Sequence, residues 1–117
     1  MFKEDFELDG VAISFCGLID VENAVIDALW ALPFLQGILW RDVIQKELGL
    51  HCEIENDVNC AALSEVYFGK AQDIKDMAFF VIGTGVGGAI IRDWKVCPGA
   101  HRYGGEFGMM LVEDEAG

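Results

Sequence analysis

Residues 54–59 carry the side chains best suited to acid–base chemistry in this chain. The pattern before them predicts a strand over residues 50–55, and the pattern after them predicts a helix over residues 58–68. Asn56 and Asp57 therefore lie where a strand ends and a helix begins, a place that holds side chains rigidly beside a cleft. Asp57 caps the helix in one interpretation and accepts the proton of an attacking hydroxyl in the other. Both interpretations can hold together.

A glycine-rich stretch at residues 83–88 is suited to holding phosphate. It separates two apolar runs, residues 77–82 and residues 89–92, that both predict strands. The missing Cβ atoms let an anion approach backbone N–H groups and permit the positive φ angles of a tight hairpin, and Thr84 adds a hydroxyl donor. A dinucleotide-binding fingerprint is rejected, because a strand follows the last glycine and the next acid comes too soon. A hairpin without a ligand stays open as the alternative.

Glu106 is the third candidate, in a glycine-rich segment of residues 104–108. The glycines predict a loop on which a ligand can come close to the carboxylate. A carboxylate together with an amide such as Asn56 suits sugar hydroxyls, which offer donors and acceptors at once. The alternative for Glu106 is a solvated loop acid. His101 and Arg102 are interpreted as surface residues.

The charge balance narrows the classes of partner. Among 117 residues, 8 basic and 20 acidic ones give a net charge of −12, which repels nucleic acid and anionic membranes. Because the chain has no basic cluster, any phosphate bound here needs neutralisation by a metal or by charges from missing sequence, and Mg²⁺ is the natural candidate. We therefore predict that neither nucleic acid nor a membrane is a partner.

The cysteines and the apolar segments bear on location and assembly. The 4 cysteines form no C-x-x-C pair, which predicts reduced thiols in a soluble cytoplasmic protein. A metal site at His51, Cys52 and Cys60 is rejected, because a second closely spaced ligand pair is missing. The first residues do not read as a signal peptide, and residues 28–35 are too short an apolar run to span a membrane. Because 53% of the residues are hydrophobic, we expect apolar faces that invite association, and a homodimer.

Other elements must position these candidates. The predicted elements are, in chain order, strands at residues 10–16, 18–20 and 24–26, a helix through residues 39–48, the strand and helix around Asn56, a polar connector at residues 71–76, and the strands around the glycine stretch. Gly17 ends the first strand, and Gly49 is the expected C-terminal stop of the first helix.

Three motifs in this order resemble the ROK family of bacterial sugar kinases and sugar-responsive repressors. They are Glu55-Asn56-Asp57-Val58-Asn59, then Gly83-Thr84-Gly85-Val86-Gly87-Gly88-Ala89-Ile90-Ile91, then Gly99 followed by Gly105-Glu106-Phe107-Gly108. Residues 14–20 and 37–42 resemble upstream segments of the same pattern, with Cys16 where a proline is usual. Three spaced motifs are far more specific than any one of them.

The resemblance implies an α/β fold of the actin-like ATPase, ribonuclease H-like type, with two lobes and the active site in the cleft. Residues 1–73 then correspond to the C-terminal part of the N-terminal, sugar-binding lobe. Residues 74–117 correspond to the start of the C-terminal, nucleotide-binding lobe. Because such a chain covers less than half of a typical member, we expect an incomplete core that does not turn over ATP by itself.

The resemblance also assigns roles to single residues. Asp57 matches the catalytic base of enzymes that transfer the γ-phosphoryl group of Mg·ATP to a sugar hydroxyl. The residues that correspond to sugar-binding positions are Asn56, Glu106 and Gly17, and those that correspond to a phosphate loop are Gly83, Thr84, Gly85 and Gly87.

Met109 departs from the family pattern. Most members have at this position a histidine that touches sugar and ligates zinc, and a thioether is a poor zinc ligand, so no zinc is expected. The variant resembles the branch that includes β-glucoside kinases, which implies a hexose or β-glucoside acceptor. The alternatives are a sugar-sensing repressor of the same family and a noncatalytic sugar-binding or oligomerisation module.

Overall fold

The computed structural model describes residues 6–113, and these form two compact units that divide between Asp57 and Val58. The first unit contains the strands β1 (Gly10–Phe15), β2 (Leu18–Asp20) and β3 (Val25–Ala28), the helix α1 (Trp40–Leu48) and the strand β4 (His51–Asn56). The helix α2 (Asp57–Tyr67) begins at the last residue of that unit, and the strands β5 (Met77–Ile82), β6 (Val86–Arg92) and β7 (Lys95–Val96) follow. The lobe boundary predicted between residues 73 and 74 stays a prediction.

Parallel pairing of β1 with β4 builds the sheet edge that carries the first candidates. The register runs from Gly10 opposite His51 to Phe15 opposite Asn56. Because the strands are parallel, their carboxyl ends lie at the same edge. The core of this unit is formed by buried side chains of β2, β3, β4 and the adjoining loops, namely Ile19, Ala24, Ile26, Leu29 and Ile54. The strands predicted at residues 10–16 and 50–55 are confirmed to within one residue.

Helix α1 is tied to its neighbours by one arginine. The guanidinium of Arg41 donates to the backbone carbonyls of Cys52 and Glu22 at 3.2 and 2.9 Å, and it pairs with the Glu53 carboxylate at 3.0 Å. At the other end of the helix, Gly49 adopts a left-handed conformation with φ of 67°. The predicted C-terminal stop of this helix is thereby confirmed.

An antiparallel sheet of β5, β6 and β7 forms the second unit together with α2. Ile82 lies opposite Val86, so the hairpin turn contains residues 83–85 and is shorter than the predicted stretch. Helix α2 packs on this sheet through a buried cluster of Ala62, Val66, Ala89 and Ile91. Neither α1 nor α2 reaches the length and apolarity of a transmembrane segment.

The connector at residues 71–76 is held by the turn between β6 and β7. Trp94 donates its backbone N–H to the carbonyl of Lys75 at 3.0 Å and its indole N–H to the carbonyl of Gln72 at 3.3 Å. Asp93 donates its backbone N–H to the Asp76 carboxylate at 2.9 Å. Asp93 and Trp94 have φ angles of 55° and 60°, as a two-residue hairpin turn requires. β7 and this turn were not predicted, because a bulky residue such as Trp94 is not a usual signal for positive φ.

Candidate active site

Asn56 and Gly17 meet at the carboxyl ends of β4 and β1. The side-chain amide of Asn56 donates a hydrogen bond to the backbone carbonyl of Gly17 at 3.0 Å. Gly17 has a φ of 101°, and a Cβ at this position would collide with the carbonyl oxygen of Ala28. Any other residue would therefore be strained here. The structure thus brings together two of the residues predicted to bind sugar.

Asp57 follows directly at the same sheet edge. It is the first residue of α2, and it is exposed, so a ligand can reach its carboxylate. A helix dipole favours negative charge in the first turn, which agrees with a structural role and with a role as proton acceptor. Asp57 directly follows β4, so a regular strand leads into its backbone.

The glycine turn, residues 83–85, presents its backbone to solvent. The N–H of Gly83 donates to the carbonyl of Gly85 at 2.9 Å, and every residue of the turn is exposed. A Cβ at Gly83 or at Gly85 would meet no atom within 4 Å, so the space beside the turn is open to a ligand. The expected positive φ angles are wrong for both glycines, because the internal hydrogen bond closes the turn without them.

Gly87 and Gly88 lie in β6, outside the turn. A Cβ at Gly87 would lie 2.8 Å from Cγ2 of Val58. A Cβ at Gly88 would overlap the ring of Phe107 and lie 2.5 Å from the carbonyl oxygen of Gly105. Neighbouring groups therefore fill the room that these two glycines leave, and a need for close packing explains why each is glycine.

Glu106 stands immediately before a 3₁₀ turn, Phe107–Met109. Its N–H donates to the carbonyl of Tyr103 at 3.1 Å, and its carbonyl accepts from the N–H of Met109, also at 3.1 Å. The side chain of Glu106 is half-buried. These bonds hold the backbone on both sides of the carboxylate.

The glycines around Glu106 let its loop lie against β6. Gly105 has a φ of 91°, and a Cβ there would lie 2.7 Å from Cα of Ala89. A Cβ at Gly108 would collide with the carbonyl oxygen of Val86. The strand fills the space beside these two glycines, and the approach of a ligand to the Glu106 carboxylate stays a prediction. The Glu106 loop, residues 104–108, consequently runs beside the part of β6 that begins after the glycine turn.

Sequence reasoning missed an aromatic pair that supports this loop. The rings of Phe80 and Phe107 stack with their centroids 4.3 Å apart and an interplanar angle of 21°. Phe80 belongs to β5, and it lies opposite Gly88 in the sheet. No local pattern joins two phenylalanines so far apart in the chain, and Phe107 lies in a 3₁₀ turn outside the strands, so strand register does not indicate the pair either.

A cluster of charged side chains, His51, Glu53 and Arg41, lies around the other end of β4. The Glu53 carboxylate has a pKa below its usual value. The hydrogen bond from His51 is the largest cause, and Arg41 makes a weaker contribution. Burial raises the pKa of the Cys52 thiol. Because His51 is the first and Asn56 the last residue of β4, this cluster is separate from the candidate site. In residues 6–113, no three His, Cys, Asp or Glu side chains are grouped to hold a metal.

An open groove of about 520 Å³ lies on the second unit. Its lining residues come from the end of the connector, β5, β6 and the 3₁₀ turn, namely Asp76, Met77, Ala78, Ile90, Ile91, Arg92 and Phe107. None of the residues predicted to bind a substrate lines it. His101 and Arg102 are exposed, which confirms that they are surface residues.

Comparison with known proteins gives a consistent pattern. A sequence model of the ROK family matches residues 1–117. The β-glucoside kinase of Listeria monocytogenes is 34% identical over 110 residues, which are 94% of this chain and 37% of that protein. A solved ROK family glucokinase from Streptomyces griseus, in complex with glucose and AMPPNP, is 30% identical with a TM-score of 0.79 and covers 95% of this chain and 35% of its own. A solved ROK family transcriptional regulator, a homolog of the E. coli MLC protein, is 25% identical with a TM-score of 0.84 and covers 97% of this chain and 29% of its own.

The chain spans between 29% and 37% of the length of these three proteins. The two structural likenesses confirm the predicted α/β fold of the actin-like ATPase type for the part that the chain spans.

Proposed function

Because this chain belongs to the ROK family, we propose that the protein containing it transfers the γ-phosphoryl group of ATP to a sugar hydroxyl. One observation carries the proposal: an exposed Asp57 directly follows an Asn56 whose amide is bonded to Gly17 at the carboxyl edge of the parallel strands. Similarity to a β-glucoside kinase, and to a glucokinase solved with glucose and AMPPNP, supports a sugar and ATP as the substrates.

Asp57 is the proposed proton acceptor. As the sugar oxygen forms a bond to the γ-phosphorus, the bond between that phosphorus and the bridging oxygen of ADP breaks. The hydroxyl proton passes to the Asp57 carboxylate, and ADP leaves. The transition state of this transfer is loose, so the position of the acceptor matters more than its basicity. The position of Asp57 directly after β4 supports this role.

Asn56, Gly17 and Glu106 are the proposed sugar-binding residues. An amide and a carboxylate together offer donors and acceptors, as sugar hydroxyls require. The hydrogen bond between Asn56 and Gly17 supports a shared role, because it fixes the orientation of the amide. The half-buried Glu106 gains a fixed backbone from its packing on β6.

The glycine turn is the proposed phosphate-binding element, through the backbone of Gly83 and Gly85 and the hydroxyl of Thr84. Its open surroundings support this role. Gly87 assists by letting Val58 pack closely against β6. Mg²⁺ enters as part of the substrate, bound to the phosphates of ATP, and its charge offsets the repulsion from a chain of net charge −12.

The acceptor sugar is proposed to be a hexose or a β-glucoside, as the relation to a β-glucoside kinase favours. We also propose a cytoplasmic homodimer that uses no zinc at Met109 and binds neither nucleic acid nor a membrane. The location follows from the need for ATP, and the excluded partners follow from the acidic charge.

A sugar-responsive repressor is the second candidate. A likeness to a ROK family transcriptional regulator favours it. Met109 stands where the family's usual pattern has a histidine, and that departure favours the kinase.

Assays of the full-length protein with Mg·ATP test the proposal. ADP release is followed with D-glucose, N-acetyl-D-glucosamine or cellobiose, and the sugar product is identified by mass spectrometry. Sugar-dependent ADP release together with a phosphorylated sugar is the expected result. The 117-residue chain by itself is expected to show no such turnover. Absence of a phosphorylated product with every sugar would contradict a kinase.

A further inference from the structure

The rings of Phe80 and Phe107 form a stacked pair across the β5–β6 hairpin. Their centroids lie 4.3 Å apart. Gly88 is opposite Phe80 in the sheet, and the ring of Phe107 occupies the space that a Cβ of Gly88 would take. Phe107 therefore lies over the bare backbone of Gly88 and against the side chain of Phe80.

The backbone next to Phe107 is fitted to β6 at two further points. Gly105 approaches so closely that a Cβ there would lie 2.7 Å from Cα of Ala89 and 2.8 Å from the carbonyl oxygen of Gly88. On the other side, Gly108 packs on the carbonyl of Val86. Glu106 therefore lies between two close backbone contacts with β6. The ring of the next residue, Phe107, stacks on Phe80 and so holds Glu106 against the hairpin.

The hairpin is the same one that carries the glycine turn. Val86, whose carbonyl lies against Gly108, is the residue directly after that turn. Phe80 lies in the strand that leads into the turn. The Glu106 loop and the glycine turn thus share one support.

We propose that the Phe80–Phe107 pair is a positioning device that fixes the Glu106 carboxylate relative to the glycine turn. This inference rests on the proposed function, in which Glu106 binds the sugar and the turn binds the phosphate of ATP. Phe80 acts through Phe107 and is therefore a positioning residue. Loss of the stack lets the Glu106 loop move, and small displacements of a binding group weaken binding strongly.

The test compares three variants of the full-length protein. Phe80→Leu removes the stack. Phe80→Tyr keeps a ring, and its hydroxyl can reach water because Phe80 is 57% exposed. Phe68→Leu makes the same change at an 87% exposed phenylalanine just after α2, and it serves as the matched control.

Phe80→Leu is expected to raise the KM for sugar on the order of tenfold, because the aromatic contact that orders the Glu106 loop is lost. The KM for ATP is expected to stay close to that of the wild type, and the melting temperature is expected to fall only by the few degrees that an aromatic pair contributes. Phe80→Tyr and Phe68→Leu are expected to keep the KM for sugar within about twofold of the wild type. A residue with only a structural role would lower the melting temperature and the active fraction and leave the KM unchanged.

Titration calorimetry with D-glucose and cellobiose, without nucleotide, separates this inference from the proposed function. If the wild type binds sugar but does not phosphorylate it, the proposed kinase activity fails, and the dissociation constants of the variants still decide the positioning role. An unchanged sugar affinity in Phe80→Leu would overturn the inference, whether or not the wild type is a kinase. A wild type that binds neither sugar would overturn it as well.

Discussion

A single added methyl group at Gly88 tests the packing that carries Glu106. The new Cβ would overlap Cδ2 of Phe107 and lie 2.5 Å from the carbonyl oxygen of Gly105, whereas ordinary contact begins at 3.4 Å. The Gly105 carbonyl must therefore move by roughly 0.9 Å and the ring of Phe107 by more, and such overpacking costs about 1–3 kcal/mol. The stack of Phe107 on Phe80 opposes this movement. Since alanine in a strand recovers about 0.5–1 kcal/mol relative to glycine, we expect a net loss of about 1 kcal/mol.

Gly83→Ala is the matched control, because the same methyl group would meet no atom within 4 Å. Thermal unfolding of the full-length protein is expected to show a melting temperature about 2–4 °C lower for Gly88→Ala. The control is expected to change stability by less than about 0.5 kcal/mol, while its methyl group raises the KM for ATP by crowding the phosphate. A Gly88→Ala variant as stable as the wild type would refute the packing of the Glu106 loop on β6.

Three more variants or treatments probe the first unit. Asn56→Ala removes the hydrogen bond to Gly17 and is expected to raise the KM for sugar about tenfold in initial-rate assays; an unchanged KM would count against Asn56 as a sugar ligand. Because the pKa of Glu53 is lowered in the folded protein, its interactions stabilise the fold at pH values above the ordinary carboxyl pKa. This stabilisation is lost as the pH falls through the pKa that Glu53 has in the folded protein. The melting-temperature gap between wild type and Glu53→Gln should therefore shrink from about pH 7 to about pH 3, and a constant gap would contradict this. Cys52 is 0% exposed, so iodoacetamide followed by peptide mass spectrometry should label it only after unfolding, whereas the exposed Cys16 should react in the native protein.

Elements with local signals were predictable from the sequence. Helical spacing followed by Gly49 predicted both α1 and its left-handed end, which the structure confirms. The junction at Asn56 and Asp57 was equally visible, because an apolar strand pattern changes there to a helical one. Such signals lie within a few residues of the feature that they predict.

The roles of single glycines were not predictable in the same way. Gly83 borders open space, Gly88 makes room for a ring and Gly105 combines a positive φ with close backbone packing. The amino acid is the same in each case, and the group that it contacts lies elsewhere in the chain. The bond from Asn56 to Gly17 also depends on strand register, so the residues alone did not indicate it, although family resemblance assigned both residues to the sugar.

The most direct test of the central claim is phosphoryl transfer by Asp57→Asn in the full-length protein. The substitution keeps the size of the side chain and removes the proton acceptor at the start of α2. We predict that kcat falls by at least about a hundredfold, while the dissociation constant for sugar, measured by titration calorimetry, stays within about twofold of the wild type. A variant that still phosphorylates sugar at the wild-type rate would contradict the assignment of Asp57 as the base.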